Sequence, residues 1–217
     1  MNALTLGERR ELFLKVAAKL FDRKGYNNTS VDDITGELGF TKKVFYYYWK
    51  NKNEVLQEIH NRGLRVMHEH LDEVIAKGGS PATRLELAIS THVETVLRDR
   101  SIIAVLLGDF DFSKETLEGR RAYTRRFQDL VEEGIAAGVV VDLDPHMLTY
   151  AILGLCNSIA RWYRPDGRLS GEEIRDIFTS FSTEGWRASR SGDGAEDAPG
   201  PGENALGSGP VSCNRNP

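Results

Sequence analysis

Thr29-Ser-Val-Asp-Asp-Ile-Thr-Gly-Glu-Leu-Gly39-Phe-Thr-Lys-Lys-Val-Phe-Tyr-Tyr-Tyr-Trp-Lys-Asn-Lys52 reads as two short helices joined by a tight turn. Ser30 is placed to cap the first helix, with Asp33 three residues on, where a capping-box side chain sits. Val31, Ile34 and Leu38 recur at i, i+3 and i+7, which makes one buried face over two turns. Gly39 follows as the stop, because glycine enters the left-handed region without a Cβ penalty. Thr41 is a cap for the next helix. That helix carries Lys42, Lys43, Tyr46, Tyr47 and Tyr48, then Lys50 and Lys52, with no carboxylate between Gly39 and Asn53.

A short helix, a glycine turn and a basic, aromatic second helix is the layout of a helix-turn-helix. Lysines neutralise phosphates, tyrosine hydroxyls donate to phosphate oxygens, and a slim helix fits a major groove. The same residues also fit a helical corner with a solvated basic face and a tyrosine-rich core. Phe45 and Trp49 are four apart and share a face that can anchor the helix. Tyr47 lies about 160° from Trp49 on a helical wheel, and Lys43 about as far from Phe45, so both point outward. Exposed polar aromatics beside lysines suit nucleic acid or a protein interface.

Working outward, Glu8 to Lys24 reads as a first helix, with Leu12, Phe13, Val16, Ala17, Leu20 and Phe21 on its apolar face and Gly25 at its end. From Asn53 a long helix continues to Lys77, with Gly63 inside it. A mid-helix glycine costs about 1 kcal/mol against alanine, so it marks a bend, a close packing point or simple tolerance. Ser80-Pro81, Ser113 and Asp144-Pro145 open further helices, the two prolines standing at first helical positions. Ile102 to Leu107 is a short apolar helix, and Ser170 with Glu173 caps a last one. His92 on an apolar stripe reads as a satisfied core histidine. Arg120, Arg121, Arg125 and Arg126 form either a solvated face or a seat for phosphates. Residues 189–217, rich in glycine and proline, read as a disordered tail.

The chain has 217 residues and a net charge of −4, yet residues 1–60 carry ten Lys/Arg against eight Asp/Glu. A weakly basic module on an acidic body suggests focused contact with a polyanion. Two cysteines, Cys156 and Cys213, make a disulfide framework unexpected and suit a reducing cytosol, and their spacing offers no zinc site. No signal peptide is visible, and no apolar run approaches the ~20 residues of a membrane span. Gly-x-Ser-x-Gly, P-loop, paired-histidine and dinucleotide motifs are missing, so the chain is not expected to be an enzyme or to need a cofactor. A helical adaptor would explain the amphipathic helices but leave the basic tyrosine helix unexplained. A small-molecule-binding protein would lack use for the N-terminal module.

Gly25-Tyr26, Thr29-Ser30-Val31, Ile34, Leu38-Gly39-Phe40-Thr41-Lys42, Phe45 to Trp49, Asn51-Lys52 and Val55-Leu56 resemble the N-terminal domain of TetR family transcriptional regulators. Lys43, where many members have glycine, and Trp49, where phenylalanine is commoner, depart from the pattern. The resemblance implies an all-α chain. A three-helix DNA-binding domain covers residues 8–53, with the helix-turn-helix at 30–49. A helical ligand-binding and dimerisation domain covers 54–188, and the tail follows. It further implies a cytoplasmic homodimer on palindromic double-stranded DNA, most simply a repressor released by a small molecule. Lys42 and Lys43 would read bases, and Thr29, Thr41, Tyr46, Tyr47 and Lys52 would hold phosphates. Arg9 and Arg10 are minor candidates for phosphate.

The segment from Ala151 to Ser170, with Asn157, Arg161 and Trp162-Tyr163-Arg164-Pro165, is similar to members that respond to acyl-coenzyme A thioesters. In that case Asn157 and Arg161 line the pocket mouth, and Phe110, Phe112, Tyr123 and Phe127 its apolar part. A core or dimer-seam role fits all six as well, and a hydrophobic drug-like molecule or another metabolite is the alternative effector.

Overall fold

The computed structural model describes residues 4–186 apart from Asp111, with side chains described through Thr183. The expected tail, Cys213 and the C-terminal edge of the expected 54–188 domain lie outside the described residues. Among the described residues there are nine helices and no β-strand: α1 Leu6–Lys24, α2 Val31–Leu38, α3 Lys42–Tyr48, α4 Lys52–Lys77, α5 Pro81–Arg98, α6 Arg100–Leu107, α7 Lys114–Ala136, α8 Pro145–Trp162 and α9 Gly171–Trp186.

Capping sets most of these boundaries. Ser30 and Asp33 form the anticipated reciprocal box, and Gly39 takes φ +67° behind α2. The first helix begins earlier than Glu8. Thr5 accepts from the Glu8 N–H while the Glu8 carboxylate takes the Thr5 N–H at 2.8 Å, so Glu8 is the third residue of the first turn.

The apolar faces collect into two cores. One holds Phe13, Leu20, Phe21, Ile34, Phe45 and Trp49 with Val55, Leu56 and Ile59 of α4. It forms a head whose packing extends past residue 53. The other, built from α4 to α9, centres on Ile89, Val93, Phe127, Val131, Cys156 and Ile159. The short helix α6 serves both. Ile102 and Val105 pack into the head, and Ile103 and Leu106 into the body. Gly63 is where α4 and α6 approach closely. A Cβ there would meet Leu106 Cδ2 at 3.1 Å and Ile102 Cγ2 at 3.3 Å, so the glycine answers a packing need.

Candidate DNA-binding face and effector site

In the head, α3 is anchored from one side. Phe45 is wholly buried, and Phe13 meets the rings of Phe45, Tyr48 and Trp49 within 6.2 Å. The Trp49 indole N–H donates to Glu58 at 2.6 Å, and the Tyr48 hydroxyl donates to the Leu6 carbonyl at 3.1 Å. Burying one large aromatic contributes about 2–3 kcal/mol, which suffices to hold a two-turn helix that is unstable alone. The opposite side is left to solvent: Tyr46 is 53% and Tyr47 68% exposed, and Thr41, Lys42 and Lys43 are exposed beside them. Lys42 rests on Asp32 at 2.9 Å, an exposed pair. Solvent screens such a pair, so a phosphate or base can replace it. Lys43 has no ion-pair partner among the described residues.

Two of the expected phosphate contacts turn inward instead. Thr29 is buried, and its hydroxyl donates to the Leu20 and Gly25 carbonyls at 3.3 and 2.9 Å. Its N–H donates to the Tyr26 carbonyl, so neither donor is free for DNA. Lys52 donates to the Tyr26 and Thr29 carbonyls at 2.5 and 2.8 Å, with its ammonium 4.0 Å from the Tyr26 ring centre. Those carbonyls belong to the loop before α2, so Lys52 closes that loop. Arg10 is occupied by Glu58 at 2.9 Å, and Arg9 lies over Phe40.

The six expected pocket residues do not meet in one place. Phe110 packs on the head, touching Tyr26 and His60, and Phe112 packs on His60 under the Arg120 guanidinium. Both therefore leave the expected apolar pocket. Tyr123, Phe127 and Asn157 do converge, through His92. Asn157 Oδ1 is an acceptor, so His92 Nε2–H donates to it at 3.0 Å; Nδ1 then accepts from the Tyr123 hydroxyl at 2.8 Å. This tautomer uses every ring nitrogen of a buried neutral imidazole. Arg161 is elsewhere. It is exposed and lines a groove of about 1060 Å³ between α1 and the end of α8. Of the arginine cluster on α7, Arg126 binds Asp72 and His68, while Arg121 and Arg125 face solvent.

Burial pushes His92 down to about 4, and burial with the nearby Arg120 charge pushes His60 down to about 4. Both stay neutral in the fold while an unfolded histidine titrates near 6.5. As pH falls through 6.5, the unfolded chain takes up protons that the folded chain refuses, so stability drops from there towards pH 4. Thermal unfolding is expected at a lower temperature at pH 5 than at pH 7. A transition unchanged between those pH values would contradict this account.

Among the described residues no helix is long and apolar enough to cross a membrane. A three-helix head with an outward basic helix, carried on a helical body, defines a helix-turn-helix DNA-binding transcriptional regulator and not an enzyme. Residues 13–59 match the family described as bacterial regulatory proteins, tetR family, and residues 78–186 match the tetracyclin repressor-like C-terminal domain. The chain belongs to the TetR family.

A TetR/AcrR family regulator from Thermobifida fusca is 36% identical, over 82% of this chain and 97% of that one, with a TM-score of 0.63. The HTH-type transcriptional repressor KstR2 of Mycolicibacterium smegmatis is 26% identical over 76% of this chain and 84% of its own. The fold is also that of AibR in complex with isovaleryl coenzyme A and operator DNA, which is 24% identical over 80% of this chain and 97% of that one, with a TM-score of 0.70.

Proposed function

We propose that this protein is a homodimeric repressor of the bacterial cytoplasm that leaves a palindromic operator when an acyl-coenzyme A binds its body. The observation that carries the DNA half is the outward face of α3. It presents Thr41, Lys42, Lys43, Tyr46 and Tyr47 while Phe45 and Trp49 lock the other side. Lys42 and Lys43, at the start of the helix, read base edges, lysine to guanine being favoured chemistry. Thr41, Tyr46 and Tyr47 hold phosphates and set the register. Two heads read half-sites about 34 Å apart or slightly more.

The dimer is supported by an apolar stripe. Met147 and Tyr150 of α8 and Ile177 and Phe181 of α9 are each more than half exposed in a single chain. Side chains of that size on adjacent helices call for a partner surface. The effector assignment is supported by Asn157 on the buried His92 network, by Arg161 in an open basic groove, and by the fold neighbour that holds isovaleryl coenzyme A.

Lys43→Ala is expected to relax base preference at one operator position, whereas Tyr47→Phe lowers affinity for all sequences alike. Fluorescence anisotropy with the DNA beside its own gene, and with singly substituted sites, separates the two effects. Unaltered selectivity in Lys43→Ala removes that residue from base reading. Sequence-independent binding by the wild type removes the regulator's operator altogether. Addition of an acyl-coenzyme A to the same titration tests release.

A further inference from the structure

The groove that receives Arg161 is walled by both halves of the molecule. Lys15, Lys19 and Arg23 of α1 form the head's wall, and Arg161 and Arg164 form the body's. None of these five cations has an ion-pair or hydrogen-bond partner among the described residues. The other three lining cations are occupied: Arg62 by Glu11, Arg98 by Asp99 and Arg100 by Asp22. Asp166 is the remaining carboxylate of the lining. A cleft lined so strongly by one sign focuses the field and concentrates counter-charge. A carboxylate would answer one of the five cations, whereas a chain of phosphates answers several and suits a volume of about 1060 Å³.

Arg100 occupies a special position in this groove. It donates to Asp22 on α1 at 2.5 Å and to the Ala160 carbonyl on α8 at 2.8 Å. The pair with Asp22 is largely but not fully withdrawn from water, and Ser101 also reaches the same carboxylate oxygen. One side chain thus ties the head to the body from inside the groove.

We propose that the groove is a polyphosphate site and that the Arg100–Asp22 pair is its latch. Phosphates of a nucleotide-bearing ligand bind the five free cations and draw Arg100 from Asp22, which removes the polar tie between α1 and the start of α6 while Ile102 and Val105 stay packed in the head. The inference rests on the effector reading only for coenzyme A as the natural probe. The phosphate chemistry is shared by free nucleotides, and the test separates the two.

Calorimetry of the full chain with coenzyme A lacking an acyl group, with an acyl-coenzyme A and with ADP, each at two salt concentrations, measures binding directly. The exposed double variants Lys15→Gln/Lys19→Gln and Arg161→Gln/Arg164→Gln leave the fold's cores untouched. Each is expected to weaken coenzyme A binding about tenfold or more, with a reduced salt dependence. Asp22→Asn is expected to shift operator release to a several-fold lower ligand concentration.

If acyl-coenzyme A binds equally well to wild type and both double variants, the groove inference is overturned while the effector reading survives. If only ADP binds, and the variants weaken it, the groove stands and the acyl-coenzyme A reading fails. Binding of none of the three overturns the groove as a phosphate site. An unchanged release midpoint in Asp22→Asn, with its melting temperature intact, overturns the latch.

Discussion

Phe181→Asp is expected to give a monomer and to lower operator affinity about 100-fold or more. Phe181 is 67% exposed and Ile177, one turn earlier, 52%. On α8, Met147 and Tyr150 are 65% and 55% exposed. None of them is needed to close the core of one chain, so the aspartate leaves the subunit's own packing unchanged. In a paired arrangement it places an unpaired carboxylate in an apolar seam, which association cannot absorb. The loss on DNA follows from tethering. Two linked heads bind the second half-site at a high effective concentration, and separate heads do not, a difference of roughly 10²–10⁴. Light scattering coupled to size exclusion, followed by anisotropy on the operator, measures both steps. A variant that stays dimeric sinks the α8–α9 seam.

The second large effect is expected in the head. Phe45→Ala should cost about 3–5 kcal/mol, the range for emptying a fully buried aromatic site. Phe45 has no exposed surface and contacts Phe13, Tyr46 and Trp49. For a chain of this size the melting temperature should fall by about 10 °C, and operator binding should vanish with the orientation of α3. Tyr47→Ala is the matching control. It is two residues away and 68% exposed, so it should weaken DNA binding while melting like the wild type. Equal melting of Phe45→Ala and the wild type would mean that the anchoring face has been misassigned.

Much of this was readable in the sequence, for reasons that particular residues make plain. The all-helical fold follows from apolar spacing and from caps such as Ser30 and Asp33, both local properties. The exposure of Lys43 and Tyr47 follows from helical pitch once Phe45 and Trp49 are taken as the buried side, whereas Tyr46 and Tyr48 flank that side and only the fold turns Tyr46 out and Tyr48 in. Thr29 and Lys52 were not readable. A loop threonine and a helix-start lysine can face either way, and here both are captured by carbonyls of the loop before α2. Phe110 and Phe112 stand outside any helix, so no periodicity says which core receives them. The basic groove assembles residues from α1, α4, the end of α5, α6, the end of α8 and the turn after it, separated by more than 130 positions along the chain. Within α1 alone, Lys15, Lys19 and Arg23 look like an ordinary wetted face.

The division of α6 between the two cores has a consequence for anyone wishing to exchange modules among regulators of this family. A cut placed after the third helix, or even within α4, would strand Ile102 and Val105 in a body whose new head lacks a matching socket. A working chimera must therefore carry its eight-residue α6 along with the head, although more than forty residues of chain separate them. The natural unit of inheritance is discontinuous in sequence and contiguous only in space.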